Sequence, residues 1–155
     1  DSVLRAHPWN CAVTLVKLTS DTDTPAWGFS NQFSLPTDPY CLRVLGLDYL
    51  DIDFNVRGRK IHCDESSSNL RYIARITDPN EYDQLLIEAI AARLAADTSF
   101  ALVQSSTLTG TMFELYEKKL SEARFVDATE GTPGARDNVT VSGSLQTDTL
   151  VNSRL

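Results

Sequence analysis

The residues best able to do nucleophilic or metal chemistry here are two histidines and three cysteines, and His62 and Cys63 stand side by side. With His7, Cys11 and Cys41 they are candidate zinc ligands, or a thiol nucleophile with its imidazole base. The spacing favours neither. No C-x-x-C or H-x-x-x-H pair occurs, so any such partners would have to meet in space alone. Each cysteine lies in or beside an apolar strand pattern, which predicts buried thiols made in a reducing compartment and no structural disulfide. Asp51-Ile52-Asp53-Phe54-Asn55 opens like a calcium loop, but Val56 stands where that loop needs Gly and His62 where it needs a bidentate Glu. Strand alternation explains these acids as a wet face. Glu81, Asp83 and Glu88 offer carboxylates for a glycosidase-type pair, although acids in the first turns of a helix answer to its dipole and to solvent. Arg57, Arg59 and Lys60 make a basic cluster at a hairpin tip, to be read as a solvated turn or as a contact with an acidic neighbouring subunit. Asn138-Val139-Thr140 matches a glycosylation acceptor by chance, since no secretory context accompanies it. The residues therefore predict no catalytic group, cofactor or resident metal.

The whole chain narrows the classes further. Its 155 residues, 42% hydrophobic, suit one domain with a modest core. The net charge of -7 and a pI near 4.7 disfavour a nucleic-acid surface, whose first requirement is a basic patch that releases counterions from phosphate. No apolar stretch approaches the ~20 residues that cross a bilayer, and nothing at the N-terminus reads as a signal peptide.

The elements that must position these groups segregate into strands and then helices, an α+β pattern. Asp1 to Ala6 reads as the end of a helix that Pro8 stops near His7, and the lack of an opening Met suggests that an N-terminal helical segment is only partly present. Six strands follow over about residues 9–76. Cys11, Val13 and Leu15 alternate with polar or small neighbours. Trp27 to Leu35 and Cys41 to Leu47 form the next two. Leu50, Ile52, Phe54 and Val56 share one face, Gly58 turns the chain, Lys60 to Cys63 returns, and Leu70 to Ile76 closes the set. Short connections predict an antiparallel meander. Asp78-Pro79-Asn80-Glu81 is a helix start with a capping box, and Tyr82, Leu85, Leu86, Ala89, Ile90, Arg93 and Leu94 recur at helical spacing to about residue 104. Ser105-Ser106-Thr107 breaks the pattern before a second helix to about residue 125, and the two should pair as an antiparallel hairpin. Thus residues 1–127 form the domain. Residues 128–155, rich in Gly, Ser, Thr, Asp and Asn and devoid of aromatics, form an extended C-terminal arm.

The ordered phrases His7-Pro8-Trp9-Asn10, Pro25-Ala26-Trp27-Gly28-Phe29, Phe33-Ser34-Leu35-Pro36 and Cys41-Leu42-Arg43-Val44 resemble the tail tubular protein A family of short-tailed phages. Gly58-Arg59-Lys60-Ile61, Asn69-Leu70-Arg71-Tyr72-Ile73, the run from Glu88 to Ala95, and Glu130-Gly131-Thr132-Pro133 extend the likeness across roughly residues 4–133. The resemblance implies a virion structural protein, a head-to-tail adaptor made in the host cytoplasm. It would form a ring, a dodecamer in the family, between the portal protein and the tail nozzle or tube. DNA would pass through the channel without specific binding. The family's opening helices are not in this chain, and no family phrase matches beyond Gly134.

From position and composition the arm is expected to dock on the portal through Val139, Val141, Leu145, Leu150, Val151, Arg154 and Leu155, ordering as it binds. Arg57, Arg59 and Lys60 are the candidate inter-subunit contact. The competing classes are a neck or head-completion protein of another tail type, and a small α+β hydrolase using His62 and Cys63 or Asp51 and Asp53.

Overall fold

The computed structural model describes residues 1–47 and 52–130. Helix α1 (Ser2–Ala6) ends where Pro8 forbids continuation, and His7 is already extended at φ -140° and ψ 145°. Six strands follow: β1 (Val13–Thr19), β2 (Asn31–Ser34), β3 (Cys41–Leu47), β4 (Phe54–Arg57), β5 (Lys60–Cys63) and β6 (Ser67–Ala74). A short 3-10 turn at Pro79–Glu81 leads to helices α2 (Gln84–Val103) and α3 (Ser106–Thr129). The fold is α+β, two antiparallel three-stranded sheets and a helical hairpin.

The strand order corrects the expected meander. One sheet runs β1-β6-β3 and the other β2-β5-β4, so among the described strands only β4 and β5 are neighbours in both sequence and space. Short connections do not force hairpins here, because the link from β5 to β6 spans three residues and still changes sheet. The reason lies in β6. Leu70, Tyr72 and Ala74 enter the core between the two sheets, while Ile73 enters a second core under the helices. A strand apolar on both faces belongs at the centre of a covered sheet, and β6 takes that place.

The first core joins Leu18, Phe33, Leu35, Leu47, Ile61 and Leu70 across the two sheets. The second gathers Val3 and Leu4 of α1 with Trp9, Ile76, Leu86 of α2 and Ala123 of α3. The helices thus cover a sheet and α1 together. Small residues at Ala89, Ala92 and Ala96 are buried along α2 and allow close approach.

Several boundaries differ from the sequence reading. β1 begins at Val13, because Ala12 and Val13 both donate backbone N–H groups to the Trp9 carbonyl and close a turn that holds Cys11. The second strand is confined to Asn31–Ser34, and Trp27 is 70% exposed instead of lying in a strand. The wet face of β4 is as expected at Asp53 and Asn55, but its apolar face is only half covered: Ile52 and Phe54 are partly buried and Val56 is exposed. Leu50 lies outside the described residues. β4 is the edge of its sheet, with β5 its one neighbour among the described strands. Gly58 does supply the hairpin turn, with φ +61°. Asp78 caps the 3-10 turn through the Asn80 N–H, and Asp83 is the N-cap of α2, accepting from Leu85 and Leu86 at 2.7 and 3.1 Å. Ser105 caps α3. α3 continues to Thr129, past the expected end near residue 125.

Candidate functional site

His62 and Cys63 are neighbours on β5, where successive side chains point to opposite faces. Cys63 is fully buried between the sheets and His62 is half-buried on the other side, so they cannot act on one substrate atom. Cys41 shares the inter-sheet core with Cys63, and all three cysteines are free thiols. Burial pushes the Cys41 thiol up, away from the thiolate form a nucleophile needs. Cys11 departs from the expectation of a buried thiol: it sits exposed in the turn after Trp9, where no strand covers it. Among the described residues no three His, Cys, Asp or Glu side chains gather as a metal site. Asp53 is exposed, and Asp51 lies outside the described residues.

The helix acids are likewise separated in role. Asp83 is the cap, and Glu88 accepts from Lys119 of α3 at 2.7 Å, tying the hairpin together. Glu81 lies exposed in the 3-10 turn. No described helix is long and apolar enough to cross a membrane.

His7 belongs to a different constellation. Its Nε2 lies 3.2 Å from Asp127 Oδ2 near the end of α3. Asn10 donates its backbone N–H to Asp127 Oδ1 at 2.9 Å and its side-chain amide to the Asp127 carbonyl at 2.7 Å. Trp9, fully buried, donates its indole N–H to the Val3 carbonyl at 3.1 Å, and its ring meets that of His7 edge-on at 4.6 Å. The phrase His7-Pro8-Trp9-Asn10 is therefore a clasp that fastens α1 and the start of β1 to α3. Burial lowers the His7 pKa, and the hydrogen bond and charge of Asp127 oppose that shift. Sequence reasoning missed Asp127, because nothing local marks an acid in the last turns of a helix as a partner for residues 117 and 120 positions away.

The structure divides the basic hairpin tip. Arg59 turns inward and donates to the carbonyls of Cys41, Leu35 and Pro36, with its guanidinium 4.1 Å over the Tyr40 ring. Lys60 pairs with Asp21 at 3.2 Å. Arg57 stays outside, stacked 4.7 Å over the exposed Trp27. The tip also borders a cleft of about 590 Å³ lined by Arg5, Arg43, Arg59 and Arg75. Arg75 stacks on Tyr40 at 4.8 Å and pairs with Asp1. Arg5, Arg43 and Arg75 were not legible as a group, since they come from α1, β3 and the end of β6.

On the helical hairpin Leu94, Phe100, Leu102, Val103, Leu115 and Phe125 are all exposed, Leu102 at 79% and Phe125 at 72%. The expected arm residues Val139, Val141, Leu145, Leu150, Val151, Arg154 and Leu155 lie outside the described residues.

Fold and site together define an α+β domain whose exposed features are an arginine-lined cleft and an apolar helical hairpin. No family model matches the chain, and no curated protein matches it either.

Proposed function

We propose that this chain is the subunit of a head-to-tail adaptor ring, joining a portal to the tail of a short-tailed phage and continuing the DNA channel. The observation that carries the reading is the ordered likeness to the tail tubular protein A family over roughly residues 4–133. Two features of the fold support it. The phrase His7-Pro8-Trp9-Asn10 serves as the clasp between α1 and α3, so the residues that carry the likeness also tie the fold together. The helical hairpin exposes more large apolar side chains than a solitary small domain needs, and such side chains become covered when copies stand side by side. A ring subunit presents one face to a different face of the next copy. Residues 134–155 dock on the portal, with Val139, Val141, Leu145, Leu150, Val151 and Leu155 as apolar anchors and Arg154 beside them. Each arm binds weakly, and the ring multiplies the effect.

The test is an end-on class-averaged image of the protein assembled with its portal. A closed ring of twelvefold symmetry is the expected result. A complex with isolated single subunits, or no complex at all, overturns the reading. A ring of the same architecture seated on a long tail tube would assign it to the neck of another tail type.

A further inference from the structure

The arginine-lined cleft is unusual for so acidic a chain. It holds four of the 14 Lys and Arg residues and, among its lining, one of the 21 Asp and Glu residues, Asp1. Asp1 is committed to Arg75. Arg59 is held by three backbone carbonyls, which fix the guanidinium without neutralising it. Among the described residues Arg43 donates to the Arg5 carbonyl and neither Arg43 nor Arg5 has an acidic partner. Tyr40, 37% exposed, stands between Arg59 and Arg75 as a wall. Guanidinium groups gathered in an open cleft suit planar carboxylates, which they bind two bonds at a time.

We infer that this cleft receives carboxylates from α3 of a second copy of the chain, and that Glu114 and Glu117 supply them. Both are exposed and in no ion pair among the described residues, and their spacing of three puts them on one helix face. The exposed Leu115 lies beside them. The cleft is built by α1, β3 and the β4–β5 turn, with no residue of α2 or α3 in its lining. Donor and acceptor are thus different faces, as a head-to-tail contact requires, and repeating such a contact closes a ring or grows a filament. A nucleic acid fits less well, because a continuous polyanion would meet the remaining surface of a chain with net charge -7. The inference deepens the ring reading by naming its subunit contact.

The experiment is a charge-swap in the full chain, read by sedimentation velocity at low and high salt. Wild type should self-associate at low salt and dissociate as salt rises, and decaglutamate should compete. Arg5→Glu with Arg43→Glu, and separately Glu114→Arg with Glu117→Arg, should each weaken association by more than roughly tenfold. Mixing the two variants should restore it, since each then offers the other a complementary partner. Arg59 is left alone because it supports the fold. If wild type never associates, if decaglutamate does not compete, if the arginine variant associates normally, or if the mixture stays monomeric, the inference fails. Cleft-dependent binding of duplex DNA with no self-association would also overturn it. A monomeric wild type that still forms rings on the portal ends this inference and leaves the ring reading. Head-to-tail association without portal binding does the reverse.

Discussion

His7 and Asp127 show how one pair links segments that are far apart in sequence. Burial holds the imidazole pKa below its ordinary 6.5, despite the opposing pull of Asp127. The folded state then binds fewer protons than the unfolded chain at pH just under that value. Stability from this residue is complete above pH 6.5 and falls as pH drops toward the lowered folded value. Chemical denaturation from pH 7.5 to 5.5 should show that loss, and His7→Asn should flatten its share of the slope. At neutral pH Asp127→Ala should cost about 1–3 kcal/mol, because it strands the Asn10 N–H in a half-buried site. A slope identical in wild type and His7→Asn would remove the clasp from the energetics. The thiols offer a second check at this scale. Cys11 should react with a thiol reagent in the native protein, whereas Cys41 and Cys63 should react only as it unfolds, because both are buried between the sheets. Mass spectrometry of partly labelled protein reads the order directly.

Among the elements, α2 tests which aspartate begins a helix. Asp83→Ala removes the acceptor for two N–H groups and should cost about 1 kcal/mol. Asp78→Ala touches only the short 3-10 turn and should cost less, so equal losses would reassign the cap. The sequence pattern Asp78-Pro79-Asn80-Glu81 had the right chemistry for a start, and it does start a turn. The chain then resets at Tyr82, which is extended at ψ 139°, so a second aspartate is needed. The edge position of β4 carries a similar lesson. Phe54 is packed against the inter-sheet core yet only half-buried, so Phe54→Ala should cost about 2 kcal/mol, below the ~3–5 kcal/mol of full burial. Asp53→Asn, on the wet side, should leave the melting temperature unchanged. A Phe54→Ala protein melting with wild type would show that β4 contributes no core.

At the scale of the molecule, the adaptor reading assigns residues 134–155 to docking and not to folding. Deleting residues 134–155 should leave the melting temperature nearly unchanged, since both described cores lie within residues 3–123, and should abolish co-purification with the portal. A truncated protein that binds portal normally would move the contact to the exposed face of α2 and α3. Much of the architecture was legible in the chain because it depends on neighbours. Pro8 ended α1, Gly58 turned the β4–β5 hairpin, Ser105 separated the helices, and the change from period two to period three or four marked the passage from sheets to hairpin. Those signals act over a few residues, where sterics and local hydrogen bonds decide. Which strands pair was not written that way. β1 and β3 flank β6 because only a strand apolar on both faces can lie between two cores, and that comparison involves every strand at once. The same holds for the groups that face solvent. Arg5, Arg43, Arg59 and Arg75 have unrelated sequence surroundings, and folding alone brings them to one cleft. The local chain determined the elements and their ends by short-range physics, whereas the pairing of sheets, the His7–Asp127 clasp and the arginine cleft required tertiary packing to bring distant residues together.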